Sequence, residues 1–246
     1  MDSIILGRNQ VLEALKAGRP INKILVLDGA NTGPVRDIVA MARERKILLQ
    51  FVDKSRLDFL SGGQVHQGVI AQAAAKEYAD WEQILTKVTQ QGEEPLFLLL
   101  DGVEDPHNLG AILRTADAVG VHCVIIPKHR AVPLTAGVAR ASAGAIEYVP
   151  VAQVTNLART IDQLKEAGFW IAGTDMDAQK THFGTDLRGP LVVVMGGESG
   201  RLGKLVKEKC DLLVRIPMRG KVNSLNVSVA ASVVLYEIIR QRQAAQ

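Results

Sequence analysis

Residues 95–126 read PLFLLLDGVEDPHNLGAILRTADAVGVHCVII, and this stretch decides the fold. Leu96–Leu100 and Val121–Ile126 are short apolar runs, the second broken only by His122. The segment between them has the marks of a helix. Pro106 disfavours a helical conformation at Asp105, and Asn108 is a good N-cap residue. Ile112, Leu113, Ala116 and Val119 recur at helical spacing, and Gly120 supplies a stop. Short apolar runs separated by helices read as buried parallel strands. The texture continues through Trp170–Gly173, Leu191–Met195 and Leu212–Ile216. The expectation from Pro95 onward is therefore an α/β domain with a parallel sheet. Ligands in such sheets sit at the carboxyl ends of the strands. Three of these ends carry unusual sequence: Asp101–Gly110, Gly196–Gly203 and Pro217–Asn226.

Working back towards the N-terminus, the pattern is a second, smaller α/β module. Gly7–Ala17 reads as a helix, Ile24–Leu27 as a strand, Pro34–Arg45 as a helix, and Ile47–Val52 and Gly68–Ala73 as further strands. Residues 76–94 are charged, with a short helical piece near Trp81–Val88, and read as a linker. The domains expected are thus 1–75, a linker 76–94, and 95–246.

Apolar residues make up 47% of the 246-residue chain and aromatics only 4%, so the core is expected to be aliphatic. No apolar run reaches the roughly 18 residues needed to span a bilayer. The start, Met1-Asp2-Ser3, lacks the pattern of a signal peptide. A cytoplasmic protein is the expectation. Cys123 and Cys210 form no CxxC pair and the five histidines are scattered, so no metal is expected. The net charge of +3 is divided between two mildly basic blocks, 1–75 and 95–246, on either side of the acidic 76–94. This suits a two-module RNA binder, although many solvated surfaces look the same.

The three strand-end segments each admit two readings. Gly110 and Arg114 are four apart and lie one above the other on a helix face. A glycine there costs about 1 kcal/mol relative to alanine, and it clears the approach to Arg114. The alternative is an exposed arginine paired with Asp117. The segment Gly196–Gly203 follows a strand and precedes a helix at Leu205–Lys209, a place where glycines let backbone approach a ligand. It is neither a dinucleotide fingerprint nor a P-loop, which argues against a nucleotide-dependent oxidoreductase. In the third segment Ser224 is a plausible N-cap, and Leu225, Val229, Val233 and Tyr236 run down a long final helix. Ser224 and Asn226 could be cap residues and nothing more.

Taken together, the segments resemble the signature motifs of the SPOUT-class, SpoU-type (TrmH-like) RNA ribose 2′-O-methyltransferases. Asn108, Gly110 and Arg114-Thr-Ala match the first motif. Gly196 and Glu198 with Leu202 match the second, and Pro217-Met218 with Gly220 and Ser224-Leu225-Asn226 match the third. The match runs over about residues 95–240 with order and spacing intact. Gly7–Leu15 and His66-Gln67-Gly68 resemble the substrate-binding module of the 23S ribosomal RNA branch, which shares its form with certain ribosomal proteins. Ser199 and Arg201 depart from the family, which has glycines there.

The resemblance implies a catalytic sheet ending in a trefoil knot, a homodimer, and S-adenosyl-L-methionine as cofactor. By position it implies cofactor contacts at Gly196, Ile216, Met218 and Leu225. The catalytic set it implies is Arg114, Asn108, Glu198, Ser224 and Asn226, acting on the 2′-hydroxyl of a guanosine in 23S rRNA, with a tRNA guanosine as the nearest alternative substrate. A non-catalytic RNA-binding assembly factor is disfavoured because Arg114, Asn108 and Asn226 are all present.

Overall fold

The computed structural model describes residues 2–31, 33–197 and 201–244. Along the chain, the first elements are β1 (Asp2–Leu6), α1 (Arg8–Lys16), β2 (Ile21–Leu27), α2 (Gly33–Glu44), β3 (Leu48–Val52), α3 (Lys54–Ser61) and β4 (Val69–Ala74). There follow α4 (Trp81–Gln90), β5 (Leu96–Asp101), α5 (Pro106–Val119), β6 (Cys123–Pro127), α6 (Ala136–Ala141) and a 3-10 turn at Ala145–Glu147. The remainder is β7 (Val151–Val154), α7 (Leu157–Glu166), β8 (Trp170–Thr174), β9 (Lys180–Thr181), a 3-10 turn at His182–Gly184, β10 (Leu191–Gly196), α8 (Lys204–Glu208), β11 (Leu212–Arg215) and α9 (Val227–Gln243).

These elements form two compact units. The first holds residues 1–77 together with 134–148, and the second holds 78–133 and 149–246. The first unit is built on a four-stranded sheet of order β1-β4-β2-β3, in which only β2 and β3 run parallel. Side chains alternate across it, as a strand requires. Ile24 and Val26 pack with Val11, Leu15, Val35 and Ile38 of α1 and α2. Leu25 faces the other way, onto Leu6, Leu57 and Ile70. The sequence reading places 134–148 with the second module, but in the structure this segment joins the first unit. Arg19 Nη1 meets Glu147 Oε1 at 2.7 Å with both side chains buried, and Lys76 Nζ lies 3.4 Å from Glu147 Oε2. Tyr148 donates its hydroxyl to Glu13 Oε2 at 2.7 Å.

The second unit is an all-parallel seven-stranded sheet of order β7-β6-β5-β10-β8-β11-β9. Its central strands β5 and β10 are buried along their whole length, as a sheet covered on both faces demands. One core gathers Phe97, Leu99, Ile125, Ile161, Leu164, Phe169, Val192 and Val194, with the Phe97 and Phe169 rings 4.9 Å apart. The five strands expected in this sheet are all present. β7 and β9 add to them, and β11 stops at Arg215, so Ile216 lies just beyond its strand.

Candidate active site

β5 ends at Asp101, and Gly102 turns the chain with φ +90°, a conformation open to glycine. The helix that follows starts earlier than expected. Asp105 is extended and is the N-cap, its carboxylate accepting from the Asn108 N–H at 2.9 Å, with Pro106 at the first helical position. Asn108 therefore sits inside the first turn of α5, and its side chain is released from capping. Gly120 does end the helix, in the left-handed conformation. Gly110 is buried, as are Leu109, Ile112 and Leu113 of the same helix. Arg114 is exposed. With described residues it forms no ion pair, so the pairing with Asp117 is not made.

The second segment is braced by the first. A Cβ on Gly197 would lie 2.0 Å from the Gly102 carbonyl oxygen, so the two backbones touch at a point only glycine permits. A Cβ on Gly196 would meet the Arg201 backbone at 2.6 Å. Beyond this crossing the Gly203 N–H donates to Asp101 Oδ2 at 2.7 Å, and Arg130 Nη2 lies 3.4 Å from Asp101 Oδ1. Asp101 is buried, so its carboxylate ties the turn before α8 to the end of β5. Glu198 and Ser199 lie outside the described residues.

In the third segment the cap also shifts. Asn226, not Ser224, caps α9, its Oδ1 accepting from the Ser228 N–H at 2.9 Å and from the Ser228 hydroxyl at 2.6 Å. Ser224 is exposed. The Asn226 amide then donates from Nδ2 to Asn108 Oδ1 at 2.9 Å. Thr115 and Ser232 pair their hydroxyls at 2.9 Å further along the same two helices. The first and third segments thus meet through a polar seam between α5 and α9.

A pocket of about 370 Å³ opens at the carboxyl ends of β8, β10 and β11. Gly196, Ile216, Met218, Ser224 and Leu225, all singled out in the sequence, line it. Asn226 lies between two lining residues, Leu225 and Val227, so the seam to Asn108 borders the pocket. Arg114 is not among the lining residues. The sequence reading also passed over the end of β8, where Thr174, Asp175, Met176 and Asp177 supply one wall. The available signal was two acids in the four residues that follow Gly173. Burial pushes the Asp175 carboxyl up, but Lys207 at 2.7 Å and the Asp177 N–H together outweigh it, leaving the group below the ordinary carboxylate value. Asp177 and Arg201 stay exposed at the pocket, 4.0 Å apart. Among the described residues no group of His, Cys, Asp or Glu could hold a metal ion, and no helix is long and apolar enough to cross a membrane.

Glycine backbone, apolar walls and a few charges, gathered at adjacent parallel strand ends, define a small-molecule site of an α/β enzyme domain. Residues 95–236 match the SpoU rRNA methylase family, and residues 4–79 match a family described as RNA 2′-O ribose methyltransferase substrate binding. A Bacillus subtilis (strain 168) protein named as a TrmH family tRNA/rRNA methyltransferase is 48% identical over 97% of this chain and 95% of its own length. A Staphylococcus aureus (strain MSSA476) protein of the same name is 51% identical over 98% and 97%. Among solved structures, the SpoU methyltransferase AviRb from Streptomyces viridochromogenes superposes with a TM-score of 0.84 at 26% identity, covering 100% of this chain and 91% of that one. Its complex with the cofactor AdoMet gives 0.83 at 26% identity, covering 99% and 91%. The chain belongs to the SpoU, or TrmH, family of RNA methyltransferases.

Proposed function

We propose that this protein transfers a methyl group from S-adenosyl-L-methionine to the ribose 2′-hydroxyl of a guanosine in 23S rRNA, acting in the cytoplasm. The observation that carries this reading is the Asn226–Asn108 hydrogen bond at the edge of the pocket lined by Gly196, Ile216, Met218, Ser224 and Leu225. It joins two segments that are 118 residues apart around one cavity.

The pocket suits the cofactor. Its volume falls in the range of about 300–1,000 Å³ usual for such ligands. Met195, Val214, Ile216 and Leu225 give apolar walls for an adenine, and Gly196 and Gly197 allow close backbone approach. The exposed Asp177 and Arg201 suit the ammonium and carboxylate of an amino-acid tail. The cofactor supplies an electrophilic methyl on a sulfonium.

The remaining work falls to the chain's own residues. A ribose hydroxyl is a poor nucleophile until its proton leaves or its developing charge is stabilised. A guanidinium is protonated at any working pH and makes a reluctant base. Arg114 is therefore assigned as a clamp on the developing alkoxide, with an RNA phosphate oxygen as proton acceptor. Asn108, held by Asn226, orients the ribose, and Ser224 extends the polar wall. Glu198 is kept in the set on its motif alone.

The same reading takes the close approach of Gly197 to Gly102, with Gly203 tied to Asp101, as part of a trefoil knot. Residues 1–77 with 134–148 are assigned as the RNA reader, and 78–133 with 149–246 as the catalytic domain. The active unit is taken as a homodimer. Val229 and Tyr236 leave an exposed apolar stripe on α9, the helix whose N-cap reaches Asn108, and Arg114 stands free of one chain's pocket.

The test is radiolabelled methyl transfer to purified 23S rRNA and to tRNA, followed by mapping of the modified nucleotide. A 2′-O-methylguanosine in 23S rRNA is expected. Label confined to tRNA would overturn the substrate assignment, and Arg114→Ala turning over at the wild-type rate would overturn the clamp.

A further inference from the structure

The first unit carries a second groove, outside every motif named above. β3 is the last strand in its sheet, and beside it α2 leaves a groove of about 340 Å³. Phe51 on β3 pairs in register with Val26, whose side chain is fully buried, yet Phe51 itself is 50% exposed. Val35 and Val39 of α2 form the apolar floor. Arg36, Ala40 and Arg43 also line the groove, and their i, i+4, i+7 spacing sets them in one stripe along the helix. The two arginines are about 10 Å apart along the axis, and the small Ala40 between them leaves room. Neither guanidinium forms an ion pair with a described residue.

An exposed aromatic ring beside two uncommitted guanidiniums presents a stacking face and positive charge together. A purely apolar partner would cover Phe51 and strand both charges. An RNA duplex offers phosphates, but its base faces are stacked away. An unpaired nucleotide meets both demands, because its base can stack on an aromatic ring while its phosphates meet arginines. We propose that the α2/β3 groove binds single-stranded RNA, with Phe51 as the stacking platform and Arg36 and Arg43 as the phosphate contacts. The inference rests on the reading of the chain as an RNA 2′-O-methyltransferase and names the face by which its first unit holds unpaired substrate.

The experiment titrates the full-length protein into fluorescein-labelled decaadenylate and decauridylate, with a 16-base-pair RNA duplex as control. Phe51→Ala should weaken single-strand binding at least fivefold, while Phe51→Tyr should restore it. Arg36→Gln combined with Arg43→Gln should lower the slope of log K against log salt by about 1.4, two phosphate contacts' worth. Binding by Phe51→Ala and by the double variant within twofold of wild type would overturn the proposal, as would an equal loss with the duplex. A change in sedimentation without a change in RNA binding would also overturn it, marking the groove as a protein contact. Urea midpoints of the variants show whether any loss comes from unfolding, and the tyrosine variant provides a folded comparison. Methyl transfer is read separately. A wild-type enzyme that methylates no RNA defeats the functional assignment, while the oligonucleotide titration still reads the groove.

Discussion

The crossing of Gly197 over Gly102 offers the most direct test of how the pocket is built. In Gly197→Ala the new methyl would lie 2.0 Å from the Gly102 oxygen, 2.6 Å from its carbonyl carbon and 3.1 Å from the Asp101 oxygen. An ordinary carbon-to-oxygen contact is about 3.3 Å, so the shortfall is more than 1 Å. All three obstacles are backbone, so no rotamer change relieves them. The loop must lift off the end of β5, straining the Asp101 to Gly203 hydrogen bond and the wall beside Gly196. Overpacking that a core can absorb costs about 1–3 kcal/mol; with backbone on every side the expected loss is about 3–5 kcal/mol. At an m-value near 3 kcal/mol/M the urea midpoint would fall by about 1–1.7 M. Binding of S-adenosylmethionine, followed by calorimetry, should weaken at least tenfold (about 1.4 kcal/mol). Gly33→Ala is the matched control. Beyond its chain neighbours nothing lies within 4 Å of its added Cβ and its backbone is not left-handed, so its stability should stay within about 1 kcal/mol of wild type. A Gly197→Ala protein with the wild-type urea midpoint and wild-type cofactor affinity would refute the reasoning.

Asp101→Ala removes the acceptor of the partly buried Gly203 N–H and should cost about 1–2 kcal/mol in urea unfolding, with Asp101→Asn recovering part of it. Arg19→Met removes the closer of the two cations from the buried Glu147 carboxylate and leaves only Lys76 at 3.4 Å, an expected loss of about 1–3 kcal/mol. Hydrogen exchange should then rise first over 134–148. Glu237 is held at about 2, down from 4.5, first by the Arg240 guanidinium, with burial opposing and Gln241 adding. Its pKa is depressed on folding, so its stabilisation is complete above about pH 4.5 and is lost as the pH falls towards 2. Glu237→Gln should flatten the acid limb of stability in that window; an unchanged limb would discard the assignment. Deleting residues 1–77 alone should yield an aggregating protein, because 134–148 lose the unit they belong to. Deleting 1–77 and also replacing 134–148 by a short glycine-serine link should restore solubility and cofactor binding, both read directly by gel filtration and calorimetry.

Much of the second unit was legible in the sequence because its strands are buried on both faces. Burial on both faces turns each strand into a continuous apolar run, and the five-residue length of Leu96–Leu100 and Leu191–Met195, with turn residues on their flanks, marks them as strands. β9, two residues long, carries no such signal. Caps were less legible, because Asp105 and Asn108, or Ser224 and Asn226, are all good cap residues lying within three positions of one another. Tertiary pairing decides between them. Asn226 both caps α9 and reaches Asn108, a bond between residues 118 apart that no local pattern encodes. The placement of 134–148 was hidden for the same reason. A buried ion pair between Arg19 and Glu147 decides it, and charged residues in a sequence read as surface.

The strand order explains why one wall of the pocket was missed. The three segments singled out follow β5, β10 and β11, yet in the sheet β8 lies between β10 and β11. A cavity that spans the ends of β10 and β11 must therefore include the end of β8, and Thr174–Asp177 are drawn into the site by position alone. β5 lies on the other side of β10, so its end supports the pocket from behind through Asp101 and Gly102. This division of labour also sorts the charges. The Asp175 carboxylate is committed to Lys207 at 2.7 Å, which fixes α8 against the end of β8. Asp177 and Arg201, more than half exposed and 4.0 Å apart, have no such structural commitment. A ligand with a zwitterionic tail could exchange that loose surface pair, worth at most about 1 kcal/mol, for two charge-assisted contacts of its own.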